Sequence, residues 1–474
     1  MSDTSTSKSA GFLQRVTATA LGPYQSAVVR IGFALTWLLF LLRELPHRHE
    51  LYGPDGPWSW EMGRELIAGN DAFTVLMWSD GVIWFEAVYA LAVLSSLLLM
   101  LGWRTRTMSV LFMVGVLSLQ NRSILMGDGG DNVIHLMAVY LVFTRCGRVW
   151  SLDARRAARA AAVSPAEPAQ RSAAHPSVTG GPAGDRHPDD LPAHDRHPNG
   201  TSPAERYPDE RSVTEPLAAG AAAGRGAAPG LPEEPPYDRV GPALWLVLGL
   251  GLLTATLLNR TGAFFLVVMW VVWIGLGLWW TANRYAPRGQ VRILLDCLAN
   301  LAHNAALLVI MAEVCLIYAT AGWYKIQGSR WQDGTALYYP LKLEYFTPWP
   351  ALSDLLASGG LIVMVLTYVT VIVQVAFPFT LFNRRVKNVL LVVMIMEHAG
   401  IAVILGLPFF SMAMIAADAV FLPTVFLVWL GARFSWGRDR LLKRTPGKPP
   451  APDGDPVVPE QRQESPGHTR TLVG

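Results

Sequence analysis

Charge is what this chain has least of. Only 16% of its 474 residues are Asp, Glu, Lys or Arg, against roughly 25% in soluble domains. A long all-soluble core is therefore excluded. Cysteine is nearly absent: Cys146, Cys297 and Cys315 are the only three. None sits in a Cys-x-x-Cys pair, so neither a disulfide framework nor a cysteine-based zinc site is indicated, and free thiols are expected. His135, His303 and His398 fall on separate helical stretches without metal-ligand spacing, which argues against a bound metal. Phosphate-loop, Gly-x-Ser-x-Gly and dinucleotide fingerprints are missing too. The basic residues are dispersed at the ends of apolar runs, which leaves nucleic acid without support as a partner. The first twenty residues are polar and have no apolar core, unlike a cleavable signal peptide.

What is present is apolar. The chain is 51% hydrophobic with a mean hydropathy of +0.30, concentrated in runs of about 17 to 24 residues that match a roughly 30 Å hydrocarbon layer. The expected fold is an all-α polytopic transmembrane bundle of about 8 to 10 spans, in contact with a lipid bilayer. At the upper count the spans lie near 24–43, 82–101, 107–123, 131–146, 242–258, 262–281, 294–325, 359–382, 387–405 and 409–431. With the N-terminus inside, the basic clusters Arg104/Arg106, Arg145/Arg148, Arg284/Arg292, Arg384/Arg385/Lys387 and Arg433/Arg438 all fall on one side. That is the positive-inside pattern, and it predicts a multi-pass plasma-membrane protein with both termini cytoplasmic.

Four regions follow: an N-terminal membrane half over 1–150, a linker over 151–238, a C-terminal membrane half over 239–436 and a tail over 437–474. The linker is rich in Ala, Pro, Gly, Asp and Arg and repeats Asp-Arg-His-Pro at 185–188 and 195–198. Such composition cannot offset its ordering entropy, so a disordered cytoplasmic linker is expected, with a similar tail. The outer loops 44–81 and 326–358 are dense in Trp and Tyr and read as structured interfacial loops.

A charge at the middle of a spanning helix costs about 2.5 to 3.5 kcal/mol, so polar side chains inside apolar spans call for a partner or a purpose. They are Glu86, His135, His303, Asn304, Glu313, Gln374, Glu397, His398 and Asp418. Glu313 and Tyr324 are close to three turns apart and share a face, with Lys325 a further 100° round. Glu397 and His398 are adjacent, so only one can point squarely at a shared cavity. Individually such acids can be neutral or paired groups gluing helices together; as a set they suggest a polar cavity in the bundle. Lys325 ends a long apolar helix and is followed by Trp331 and Asp333. It is either a desolvated base or an anchor reaching water with its charge.

Three patches bear a resemblance. Ala321-Gly322-Trp323-Tyr324-Lys325 precedes Trp331-Gln332-Asp333-Gly334; Asn121-Arg122-Ser123 is followed later by Trp150-Ser151-Leu152-Asp153; and His398-Ala399-Gly400-Ile401 leads to Phe409-Phe410-Ser411-Met412. In order and placement they resemble the horizontally transferred transmembrane domain (HTTM) family, related to the vitamin K-dependent gamma-carboxylase and the sporulation-delaying protein B group. The resemblance implies a quinol-dependent carboxylase- or epoxidase-like membrane enzyme. Lys325 would be the catalytic base toward a reduced menaquinone, with Asn121 a polar positioner beside it. Arg122 stands where the carboxylase has a histidine and cannot shuttle protons. Glu313, Tyr324, Trp331, Glu397 and His398 would complete the pocket. The sporulation-delaying relatives imply the alternative of a non-catalytic protein for maturation, export or immunity of a secreted or membrane peptide.

Overall fold

The computed structural model describes residues 13–123, 127–163, 240–258, 262–287 and 289–442. Among the described residues the regular structure is entirely helical. The long helices are α1 (Pro23–Glu44), α2 (Val82–Leu101), α3 (Thr105–Arg122), α4 (Gly129–Phe143), α5 (Leu152–Val163) and α6 (Val240–Leu258). They continue as α7 (Ala263–Tyr285), α8 (Gln290–Gln327), α9 (Gly360–Ala376), α10 (Arg384–Ile404), α11 (Pro408–Asp418) and α12 (Thr424–Leu442). Seven helical stretches are long and apolar enough to cross a membrane, or eight if the apolar segments over 408–421 and 424–437 form one crossing. This is a multi-pass helical membrane protein.

The count is lower than the sequence suggests at its upper limit, for reasons visible in the residues. Helix α4 has 15 residues, about 22 Å at 1.5 Å per residue and short of a hydrocarbon core. Helix α3 begins in Thr105-Arg106-Thr107 and ends in Gln120-Asn121-Arg122, so its apolar centre is brief. The run near 409–431 is interrupted. A 3₁₀ turn at Ala419–Phe421 follows α11, and Leu422, which precedes Pro423, is extended because proline disfavours the helical region for the residue before it. Contacts gather residues through Leu422 into one compact unit and those from Pro423 into a second.

The region expected to be a disordered linker from residue 151 begins as helix α5. Its start is fastened: the Asp153 carboxylate accepts from the backbone N–H groups of Arg104 and Thr105, both at 2.8 Å, capping the first turn of α3. Arg30, fully buried, donates to the carbonyls of Leu99 (2.9 Å) and Trp150 (2.7 Å). The Asp-Arg-His-Pro repeats and the rest of the linker, 164–238, lie outside the described residues, as do residue 239 and the tail from 443. Helix α12 continues to Leu442, past the expected start of that tail.

The core of the first unit forms where α1 packs against α2 and α11, α3 against α2 and α4, and α10 against α11. Small residues allow close approach, as membrane helices require. A Cβ on Gly32 would sit 2.5 Å from that of Ala416, so α1 and α11 touch backbone to backbone there. The α6–α7 hairpin is built differently. Trp245 and Trp273 stack at 4.0 Å, and each indole N–H donates to the other's carbonyl at 2.9 Å. The segments 44–81 and 326–358 contain short helices, among them Trp60–Asn70, Ser329–Gln332, Tyr338–Lys342 and Pro350–Ser358.

Candidate functional site

Helix α8 buries a stripe of residues spaced three or four apart: Asn300, His303, Leu307, Ile310, Val314, Tyr318 and Gly322. Three residues beyond Gly322 stands Lys325, on the same face. A Cβ on Gly322 would lie 2.6 Å from Val375 Cγ2, so α8 and α9 approach closely just where the lysine emerges. Lys325 Nζ donates to Gln374 Oε1 at 2.6 Å, and Gln374 Nε2 donates to Glu397 Oε1 at 2.6 Å. The Thr370 hydroxyl also bonds Glu397. The Trp331 ring centroid is 5.3 Å from the ammonium nitrogen, within cation–π range. The amine is therefore part-buried and faces one amide, with a carboxylate behind it, from α9 and α10.

A second polar cluster lies two turns back on the same stripe. Tyr318, 2% exposed, donates to Asp418 Oδ1 at 2.9 Å and lies 3.0 Å from His398 Nε2. His398 Nδ1 and Asp418 Oδ2 are buried with no hydrogen-bond partner among the described residues. Phe377 packs against Tyr318 and Phe410 against His398. Glu397 and His398 are split between the two clusters, as adjacent helical positions must be.

The remaining candidates lie elsewhere. Asn121 donates to the Phe73 carbonyl at 2.8 Å and lines a cleft of about 420 Å³ with Trp37, Phe40, Gln120 and His135. Lys325 is not among that cleft's lining residues, and the Asn121 amide is committed to the loop before α2. Arg122, 1% exposed, donates to the carbonyls of Gly53 (3.0 Å) and Trp58 (2.7 Å); it fastens the segment between α1 and α2. Glu313 is half-buried beside the stripe and interacts electrostatically with Tyr140 of α4. Tyr324 is 74% exposed and points away from the polar cluster. In the loop after α8, hydrogen bonds from Thr335 hold the Asp333 carboxyl below the usual carboxylate range, with Arg330 adding to the effect.

Sequence reasoning placed Gln374 and Asp418 among the intramembrane polar groups without assigning them to a site, and it omitted Tyr318. The signal for Tyr318 was its spacing of seven residues from Lys325, two turns along one face. Among the described residues no three His, Cys, Asp or Glu side chains gather as a metal site. No protein-family model, curated protein or solved structure matches the chain.

Proposed function

We propose that this multi-pass membrane protein is an HTTM-like enzyme in which Lys325 is a general base toward a lipid-soluble substrate with an acidic hydroxyl, of the reduced menaquinone class. The observation that carries this reading is the chain Lys325–Gln374–Glu397, a lysine tethered by a carboxamide within apolar helices. A neutral lysine gives one N–H to Gln374 Oε1 and keeps its lone pair. On taking a proton from the substrate hydroxyl, the N–H bond forms as the O–H bond breaks, and the resulting ammonium faces Glu397 across Gln374. The Trp331 ring offers a flat apolar surface for an aromatic headgroup beside the amine. A bound quinol supplies the acidic hydroxyl and the reducing electrons; the chain's own residues supply the base, its orientation and the shielding from water. The one-sided basic clusters support a plasma-membrane orientation with both termini cytoplasmic.

The test compares oxygen consumption with reduced menaquinone for the protein in proteoliposomes against Lys325→Ala and Lys325→Arg. Both variants should lose about 10²- to 10⁴-fold, the usual contribution of a positioned base. Arginine fails with alanine because a guanidinium stays charged. Equal rates in all three proteins would remove the enzymatic reading.

A second reading is a non-catalytic protein for maturation, export or immunity of a secreted or membrane peptide. It is favoured by the aromatic segment 338–349, where Tyr345 is 87% and Trp349 60% exposed. A co-purifying peptide lost on changing Trp331 or Tyr339, yet indifferent to Lys325→Arg, would select it over the enzyme.

A further inference from the structure

The cleft of about 420 Å³ lies where α1 and α3 end and α4 begins, and its size is that of a small-molecule site. Among the described residues its lining carries no lysine or arginine, and its one carboxylate is Asp131. Three acceptors line it. Gln120 Nε2 donates to the Asp131 carbonyl at 3.0 Å, which fixes Gln120 Oε1 as the acceptor 3.0 Å from His135 Nδ1. The neutral His135 ring therefore holds its proton on Nδ1 and offers the Nε2 lone pair. Asn121 Nδ2 is taken by the Phe73 carbonyl, and Asn121 Oδ1 accepts no hydrogen bond among the described residues. Asp131 Oδ2 accepts the Asp128 N–H at 2.8 Å, and Asp131 Oδ1 is unspent in the same sense. Asp131 and His135, four apart on α4, share a face. Asp128 and Glu44 act on Asp131 as like charges and Arg43 as an opposite one, so three carboxylates stand against one guanidinium, which itself pairs with Glu44. Trp37, Phe40 and Tyr52 make the apolar side. The Trp37 indole N–H, on a side chain 1% exposed, has no hydrogen-bond partner among the described residues.

We propose that this cleft binds a primary ammonium group carried beside an oxygen, as in ethanolamine. An ammonium has three N–H donors and no acceptor; His135 Nε2, Asn121 Oδ1 and Asp131 Oδ1 are three acceptors without donors. The excess of carboxylates around Asp131 favours a cation and disfavours an anion, and the aromatic side adds cation–π attraction. A quaternary ammonium would satisfy the rings and the charge but leave all three acceptors unmatched. The Trp37 N–H remains for the oxygen. Such an ammonium comes either as the headgroup of phosphatidylethanolamine or as a free amino alcohol. No bond is made or broken, and the site stands apart from any chemistry at Lys325.

The test is the unfolding midpoint of the full detergent-solubilised chain at neutral pH with phosphatidylethanolamine, phosphatidylcholine or ethanolamine added. Phosphatidylethanolamine should raise the midpoint at concentrations where phosphatidylcholine, its trimethylated counterpart, does not. Ethanolamine should match it if the ligand is a free amine, and act only at far higher concentration if the ligand is the lipid. Asp131→Asn keeps an acceptor for the Asp128 N–H and removes the charge. It should weaken the effective ligand at least about tenfold, the loss expected for a hydrogen bond to a charged group. The comparison of the two lipids on the wild type decides the matter even if that variant does not fold. Equal rises with the two lipids, no rise with phosphatidylethanolamine or ethanolamine, or undiminished affinity in a folded Asp131→Asn protein would each overturn the site.

Discussion

The two ends of helix α8 carry polar clusters on one continuous stripe and treat them in opposite ways. Near its start, His303 takes the Arg145 N–H on Nδ1 and meets the Leu21 carbonyl with Nε2, at 2.9 and 2.7 Å. Asn300 and Asn304 donate to the backbone carbonyls of Thr17, Val16 and Thr19. Nε2 and both amides tie the chain before α1 to α8, and Nδ1 ties in the segment after α4. Near its far end, Tyr318 joins His398 and Asp418, and each of those two keeps a buried atom without a hydrogen-bond partner among the described residues. A cluster whose groups bond mainly to backbone is architecture. One that leaves donors and acceptors unspent inside a membrane is where chemistry is to be sought.

The largest effect should come from breaking the first cluster. Asp296→Ala removes the carboxylate shared by Arg145 and Arg292 and leaves buried charge uncompensated. The expected cost is about 3–5 kcal/mol, read as a lowered unfolding midpoint in detergent. Tyr318→Phe is its counterpart at the far end. It strands His398 Nε2 and Asp418 Oδ1 without adding a charge, so about 1–3 kcal/mol is expected, together with loss of any Lys325-dependent activity. A Tyr318→Phe protein as destabilised as Asp296→Ala but fully active would erase the distinction between the ends.

The fold was legible where apolar length and the inward stripe agreed, as in α2, α8 and α10. It was less so where a helix is short or polar at its ends. Residues 131–146 look like a span by composition, yet α4 is too short to be a crossing by itself. The Leu422-Pro423 break was readable from proline chemistry but was overridden by continuous hydrophobicity. Lys325, Trp331, Glu397 and His398 stand out in the sequence because charge or aromaticity contrasts with an apolar background. Tyr318 was missed because a tyrosine near a helix end reads as an interfacial residue. Asn121 was set beside Lys325 on motif order alone, and order along the chain does not say which helices pack together.

Gly322→Ala probes the far end without touching a polar group. The new methyl would meet Val375 Cγ2 at 2.6 Å, and valine in a helix is stiff at χ1, so α9 itself must give way. A cost of about 1–3 kcal/mol is therefore expected, the usual range for an overpacked contact. The displaced α9 would carry Gln374 away from Lys325, so oxygen consumption should fall by more than stability does. Full activity at reduced stability would mean that the Lys325–Gln374 bond is not needed for the chemistry.

The smallest effect is expected one position from the lysine. Tyr324 and Lys325 are neighbours in sequence, but a 100° step separates their side chains; one reaches Gln374 and the other is 74% exposed. Nothing in the polar cluster leans on Tyr324, so Tyr324→Ala should change stability by no more than about 0.5 kcal/mol and leave the Lys325-dependent rate intact. A large loss of rate in Tyr324→Ala would put the working surface on the exposed side of α8, facing lipid or a docked partner. The inward stripe through Tyr318, Gly322 and Lys325 would then be packing alone, and both ends of the helix would be architecture.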